Sequence, residues 1–391
     1  MSTVLTLFIK GVINMCSVAE QLRKRGNGPW DMATFIETAL YDLSAGYYQS
    51  EKIKLGKDGD FYTSNHVHPV FGQTFARFFA DVISSEQLSP VITELGAGEG
   101  RFSLSVLDYF AEFHPEIYES CYMILIEQSG DHRQRIEAAL AGHKGKFDIY
   151  QSISEAVKAN PELEGIIFSN EFFDALPVHQ VERHAEKWYE VFVEDQNDKL
   201  AERVFKCEND RLLQWLAQFG PDIPDGFRTE ASPLMEARLK QLASWLKRGI
   251  LVTADYGYRD EELKRPERKE GSLRGYRNHE LVHNPLESPG EMDLTHHIHW
   301  DAYDKAAELN GLETIIHERQ DQFLLKAGLF SFLQTPDTID PFSDVFKLNR
   351  AIQSFVQPGG ISSAFQVDVK GKNLANTVHY RYFNEDPYRI K

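Results

Sequence analysis

Glu94-Leu-Gly-Ala-Gly-Glu-Gly100 follows the apolar run Val91-Ile-Thr93 and opens the helical pattern Phe102, Val106, Leu107, Phe110. A strand that turns on three glycines into a helix is the nucleotide-binding start of an α/β domain. Glycines at 96, 98 and 100 accept positive φ and let backbone amides come close to a ligand. Charge then selects the ligand. Arg101 stands where a dinucleotide fingerprint has its third glycine, and Glu94 and Glu99 sit at the turn. Those carboxylates repel a pyrophosphate, and NAD is not expected. They attract the sulfonium and ammonium of S-adenosylmethionine (SAM). The expected cofactor loop is therefore Glu94, Gly96, Ala97, Gly98 and Gly100, against the plainer alternative of a glycine turn that binds nothing.

Two further strand ends carry polar groups. Tyr122-Met-Ile-Leu-Ile-Glu-Gln128 is a buried-type strand ending in Glu127, which is placed to accept ribose hydroxyls or else to cap the next helix. Gln128 lies beside it, and Gln151 and Ser152, after a third strand at Lys146–Tyr150, fall near the adenine edge. Gly165-Ile-Ile-Phe-Ser-Asn-Glu-Phe-Phe-Asp-Ala-Leu-Pro-Val178 delivers Asn170, Glu171 and Asp174 to the same edge. Parallel strands give that edge to the ligand, so polar groups at their ends are the strongest functional candidates. Glu171 and Asp174 are the candidate catalytic pair unless they merely cap the turn, and Asn170 could orient either acceptor or cofactor. Asp255, ending Ile250-Leu-Val-Thr-Ala-Asp-Tyr-Gly257, is a second-tier candidate.

The elements that position these groups are legible in outline. Val18–Tyr48 reads as helices, Gly56–Asn65 as a loop whose Gly59–Thr63 could fold over a ligand as easily as pack on a neighbour, and Phe71–Ser84 as a helix with Phe71, Phe75, Phe78 and Phe79 facing a core. These form an N-terminal cap over residues 1–88, ahead of a catalytic domain over 89–391. Insertions are expected at about 179–233, where Trp188–Val193 and Leu200–Val204 form a hairpin, and at 258–300, beginning with an exposed mobile loop over Tyr258–Lys269. Leu234–Lys247 reads as a helix and Ile361–Val369 as an edge strand. His296, His297 and His299 lack metal-binding helical spacing, so no metal is expected.

Composition excludes several classes. The 391 residues are 42% hydrophobic and 12% aromatic, which is globular rather than disordered. A net charge of −17 argues against nucleic acid. Cys16, Cys121 and Cys207 form no disulfide framework, so a reducing cytoplasm is the expected compartment. Met1–Asn14 is too short to span a bilayer and lacks signal-peptide features, and Met15 is an equally good start. Oligomeric state stays open, a homodimer included.

Taken together, these stretches resemble the MidA-like family of SAM-dependent methyltransferases. Leu40-Tyr-Asp-Leu-Ser-Ala-Gly-Tyr-Tyr48, Gly59–Thr63, the glycine loop, Asp255-Tyr-Gly257, Pro289-Gly290 and Asp293-Leu-Thr295 are similar to its signatures. The Ser169-Asn-Glu-Phe-Phe-Asp-Ala-Leu-Pro177 stretch is the most specific of them. The resemblance implies a Rossmann-like class I methyltransferase sheet and transfer from SAM to a protein side chain, arginine nitrogen foremost. A small-molecule methyltransferase and a SAM-binding assembly factor with little turnover are the alternatives. Ser44, Asn65-His-Val-His68 and His299 depart from the family's usual residues, in segments that could face the substrate.

Overall fold

The computed structural model describes residues 17–49, 68–196, 199–336, 340–360, 362 and 364–388. Met1–Asn14 and the whole of Gly56–Asn65, Gly59–Thr63 included, lie outside them.

Seven strands build the central sheet: β1 (Val91–Leu95), β2 (Tyr122–Ile126), β3 (Phe147–Tyr150), β4 (Leu163–Asn170), β5 (Leu246–Tyr258), β6 (Glu313–Arg319) and β7 (Phe365–Lys372). Their spatial order is 3-2-1-4-5-7-6, and Ile298–His299 adds a short pairing at the end of β5. The pairs among β1 to β5 are parallel, whereas β7 runs antiparallel to both β5 and β6. The chain steps outward from β1 to β3, then returns to place β4 on β1's other side. That reversal makes a topological switch point between β1 and β4, where the C-terminal ends of parallel strands leave a crevice.

Both faces are covered, as a parallel sheet requires. One layer contains the helices Val70–Glu86, Arg101–Phe113 and Asp344–Val356; the other contains Asp210–Phe219, Pro233–Trp245 and Trp300–Leu309. Phe71, Phe75 and Phe79 are wholly buried in the first layer. The helix grouped with the N-terminal cap on sequence thus packs into the central-sheet core, because its phenylalanines match the apolar underside of β1, β4 and β5.

Residues 18–48 form a separate cluster. Leu40 and Tyr47 pack with Val178, Val191, Val193, Met292 and Leu294, so this segment lies against Lys187–Asp195 and Asp293–Thr295. Trp30–Asp31 even joins the inserted antiparallel sheet through Lys187–Asp195. That strand pairs with Leu200–Lys206 as the expected hairpin.

One element is new to the sequence reading, and two expectations change. The segment before Pro233 contains a helix, Asp210–Phe219, that buries Leu212, Trp215, Leu216 and Phe219 after an Asn209 cap. Tyr258–Lys269 is not an open loop: it holds short helical turns, and Arg259 pairs with Asp301 at 2.8 Å. The strand near 361–369 is not an edge strand, since Phe365–Lys372 lies between β5 and β6. Its alternation mimics an edge because Asp368 and Lys370 are buried with each other (3.1 Å) and with Asp304.

The glycine loop rests on aromatic packing. Phe102, in the first turn after the loop, stacks on Phe168 of β4 at 3.9 Å between centroids and 7° between planes. Phe75 meets Phe168 from the neighbouring helix at 5.0 Å. Phe168→Ala should lower unfolding stability by roughly 3–5 kcal/mol. Urea denaturation checks this, and a loss below about 1 kcal/mol would refute the stack as a support of the loop.

Candidate active site

At the switch point lies a cavity of about 910 Å³. It is lined by the loop after β1, the ends of β2 and β4, the start of the helix Ile153–Ala159, and Tyr41, Tyr48 and Asp293 from the cap and second insertion.

The loop folds onto its neighbour strand. The N–H groups of Gly96 and Ala97 donate to the Ile126 carbonyl at 2.9 and 3.1 Å. Gly98 N–H donates to Glu127 Oε2 at 2.8 Å. These three amides are therefore engaged within the protein, contrary to the expectation that they approach a ligand. What the loop presents is the bare Cα of Gly98. Its φ is +54°, and a Cβ built there would meet nothing within 4 Å. Gly100 serves packing, since a Cβ there would come within 2.8 Å of Leu140. It does not line the cavity.

Glu94 is also absent from the lining. It is 3% exposed and accepts from the Ser103 hydroxyl, so it braces the helix behind the loop rather than standing at the mouth. Burial pushes its carboxyl up to about 8, with the Ser103 hydrogen bond opposing. Glu99, counted on sequence as a repelling charge, is paired with Arg135 at 2.7 Å and Arg101 at 3.0 Å.

Glu127 reaches the cavity at the end of β2, where its other oxygen accepts Ser129 N–H at 2.8 Å. Each carboxylate oxygen has two lone pairs, so it can still accept hydroxyls. Gln128 and Ser152 line the cavity too, the Ser152 hydroxyl capping its helix through Glu155 N–H at 3.3 Å.

The turn after β4 brings Asn170, Glu171 and Asp174 to the same cavity. Glu171 has φ +52°, a left-handed conformation uncommon outside glycine and enriched at functional turns. Asn170 Nδ2 donates to Glu171 Oε1 at 2.9 Å. Phe172 walls the cavity, whereas Phe173 is buried edge-on against Tyr303 at 5.4 Å. Asp174 is 4% exposed: its Oδ2 accepts the hydroxyls of Tyr256 and Thr295, the latter at 2.8 Å. Its Oδ1 is buried with no partner among the described residues. Burial raises the Asp174 carboxyl, and those two hydroxyls lower it.

Asp255 belongs beneath the site rather than in it. Fully buried, it accepts N–H groups of Phe172, Phe173 and Asp174 at 3.1–3.4 Å and of Tyr256 at 2.9 Å. The histidines diverge: His296 Nε2 lies 3.1 Å from the Leu176 carbonyl, His297 stacks on Tyr258 at 4.3 Å, and His299 pairs with Asp260.

Residue-level chemistry missed Tyr41, Tyr48, Tyr256, Asp293 and Thr295. Tyr41 hydroxyl donates to the Ala175 carbonyl at 2.8 Å, and Tyr48 hydroxyl to Asp293 Oδ1 at 2.7 Å. All five sit in the stretches Leu40–Tyr48, Asp255–Gly257 and Asp293–Thr295, which the family resemblance had marked without assigning them chemistry.

A doubly wound sheet in this order, with its antiparallel β7 and a glycine-loop cavity at the switch point, is the class I SAM-dependent methyltransferase fold. A Burkholderia thailandensis protein, solved bound to S-adenosyl-homocysteine, has the same fold: TM-score 0.81 at 24% identity, over 94% of each chain. A native crystal structure from the same organism gives TM-score 0.79 at 24% identity, also over 94% of each chain. Residues 72–317 match the family described as "Putative S-adenosyl-L-methionine-dependent methyltransferase", and this chain belongs to that family. Its cofactor is S-adenosylmethionine. Curated relatives include the mitochondrial "Protein arginine methyltransferase NDUFAF7 homolog" of Drosophila melanogaster, 26% identical over 75% of this chain and 71% of that protein. The Mus musculus NDUFAF7 protein arginine methyltransferase is 26% identical over 69% of this chain and 64% of its own length. Among the described residues no helix is long and apolar enough to cross a membrane.

Two outcomes follow from this geometry. Gly98→Val should fold but weaken SAM binding at least about tenfold, because it adds left-handed backbone strain and fills cavity space. Titration calorimetry checks this, and wild-type affinity would remove the loop from the site. For Glu94 the folded-state value of about 8 lies above the ordinary 4.5. Both states are protonated below the lower value, and between the two only the unfolded state gains by ionising. Stability of the wild type relative to Glu94→Gln should therefore fall as pH rises from 4.5 to about 8. A pH-independent difference in urea midpoints would contradict it.

Proposed function

We propose that this chain transfers a methyl group from S-adenosylmethionine to a guanidinium nitrogen of a protein arginine. The observation that carries the reading is the pair Glu171 and Asp174 on one turn, facing the cavity that the glycine loop also lines, with Asp174 Oδ1 buried and without a partner among the described residues. Seven carboxylates and three arginines line this cavity, a balance that favours a cationic acceptor. The names of the fly and mouse relatives point to the same acceptor.

The residues present suit the cofactor. The open face of Gly98, flanked by Gly96 and Ala97, would lie against it; Glu127 would take ribose hydroxyls, with Gln128, Ser152 and Asn170 completing the cradle. Glu94 and Gly100 support this cradle from behind. When bound, the sulfonium supplies an electrophilic methyl group, whose carbon–sulfur bond breaks as a carbon–nitrogen bond forms.

Everything else falls to the chain. A guanidinium is a weak nucleophile because its lone pairs are delocalised. Glu171 and Asp174 hold it in line and stabilise the positive charge arriving on it. The proton shed by the nitrogen passes to the Glu171 carboxylate. Asp255 keeps both acids in place without touching the acceptor. The buried thiols Cys121 and Cys207 suit a reducing cytoplasm, which stays the proposed compartment.

The test uses SAM with a deuterated methyl group and peptides bearing arginine or lysine, read by mass spectrometry. Label should appear on arginine, and Glu171→Gln and Asp174→Asn should each lower kcat about 100-fold while SAM still binds. Undiminished transfer in both variants, or label confined to small molecules, would overturn the assignment.

A further inference from the structure

Resting on that reading, we propose that Tyr41 and Tyr48 of the N-terminal cap, together with Asp293, form the subsite that recognises the acceptor's cationic side chain. The two rings lie 5.4 Å apart at 34°, and both line the cavity. Their hydroxyls are anchored: Tyr41 holds the Ala175 carbonyl, the residue after Asp174, and Tyr48 holds Asp293 Oδ1. Each tyrosine is thus tied to an element bearing a cavity carboxylate.

Tyr41 shares an electrostatic neighbourhood with both acids. Burial first, then the charges of Asp293 and Asp174, raise its hydroxyl far above the ordinary value. Tyr48 is raised likewise, by burial and then by Asp293. Both hydroxyls therefore remain protonated donors at neutral pH and keep their anchors. Two immobilised aromatic rings flanked by carboxylates, of which Asp174 has a buried oxygen without a partner among the described residues, are the combination that selects a cation over a neutral group. A planar guanidinium can lie on a ring face and still present its edge to an acid. Arg238 also reaches this part of the cavity; its guanidinium donates to the neutral Gln241 Oε1 at 2.9 Å and keeps its charge, which Asp174 and Asp293 must outweigh.

This gives the cap a part in substrate choice. The segment that closes the cavity also carries the rings that read the acceptor, and the glycine loop takes no share in it. The functions separate: cap variants should damage acceptor binding and spare the cofactor.

The experiment is calorimetric titration of an arginine-bearing peptide into the full chain saturated with S-adenosyl-homocysteine, beside SAM titration of the same proteins. Tyr41→Leu and Tyr48→Leu should weaken peptide binding about tenfold or more and leave the SAM Kd within about twofold. Tyr48→Phe, which keeps the ring and loses the hydroxyl's anchor on Asp293, should fall between wild type and Tyr48→Leu. Unchanged peptide affinity in both leucine variants overturns the proposal, and so does a parallel loss of SAM affinity. If the wild type methylates only lysine-bearing peptide, the arginine assignment falls. The subsite is then judged separately, by whether Tyr48→Leu raises KM for that lysine peptide.

Discussion

The Asp255 carboxylate sits wholly inside the protein at the end of β5 and gathers four backbone N–H groups, three of them from the turn after β4. A buried carboxylate without partners would be prohibitively unfavourable, so this turn and this acid require each other. β4 and β5 run side by side in register, with Ala254 opposite Asn170, which brings the acid under the turn. Glu171 N–H donates to the Ala254 carbonyl at 3.0 Å and continues the ladder one residue past the strand. The left-handed backbone of Glu171 then swings the chain over Asp255. The acids that face the cavity are thus placed by an acid that does not.

That arrangement sets the electrostatics. Burial, then the neighbouring Asp174, drives the Asp255 carboxyl far above its ordinary value. Asp174 is disfavoured as an anion by burial as well, and the hydroxyls of Tyr256 and Thr295 offset part of this. Tyr256 follows Asp255 directly, so β5 supplies both the support of the turn and a donor to the acid the turn carries. Thr295 comes from Asp293–Thr295 in the second insertion, whose first residue accepts from Tyr48 of the cap. A single three-residue strand therefore links the acid turn to the cap.

The five parallel strands of the sheet were legible for local reasons, whereas β6 (Glu313–Arg319) was not read. β1, its glycine turn and the following helix announce themselves through a continuous apolar run, G-x-G-x-G spacing and 3.6-residue periodicity, all within about 20 residues. β2, β4 and β5 show the apolar run alone, as Met123–Ile126, Ile166–Phe168 and Ile250–Val252, because both of their faces are buried. What stayed hidden depends on distant partners. The Tyr48–Asp293 bond spans 245 residues, and the Tyr41–Ala175 bond 134. No pattern near Tyr48 signals an aspartate that far away. Glu94 misled for a related reason: an acid beside a glycine turn looks the same whether it faces the crevice or the helix behind, and only Ser103 decides. The backbone amides of Gly96 to Gly98 also had two candidate acceptors, a ligand or β2, and Ile126 and Glu127 took them.

The two insertions and the cap follow from the same constraint. A parallel sheet exposes its functional edge to solvent, and small polar groups at strand ends cannot exclude water by themselves. Val191 of Lys187–Asp195, Leu294 of Asp293–Thr295 and Leu40 of the N-terminal segment share one apolar cluster, which ties the three together. The rings of Tyr41 and Tyr48 project from the rim of that cluster, where a phenol can bury its body and direct its hydroxyl to a specific acceptor. Phenylalanine at either position would bury as well but lose the tie to Ala175 or Asp293. The hydroxyls, more than the rings' burial, therefore hold the cap in register with the acid turn, and they make the cavity's two halves mechanically one.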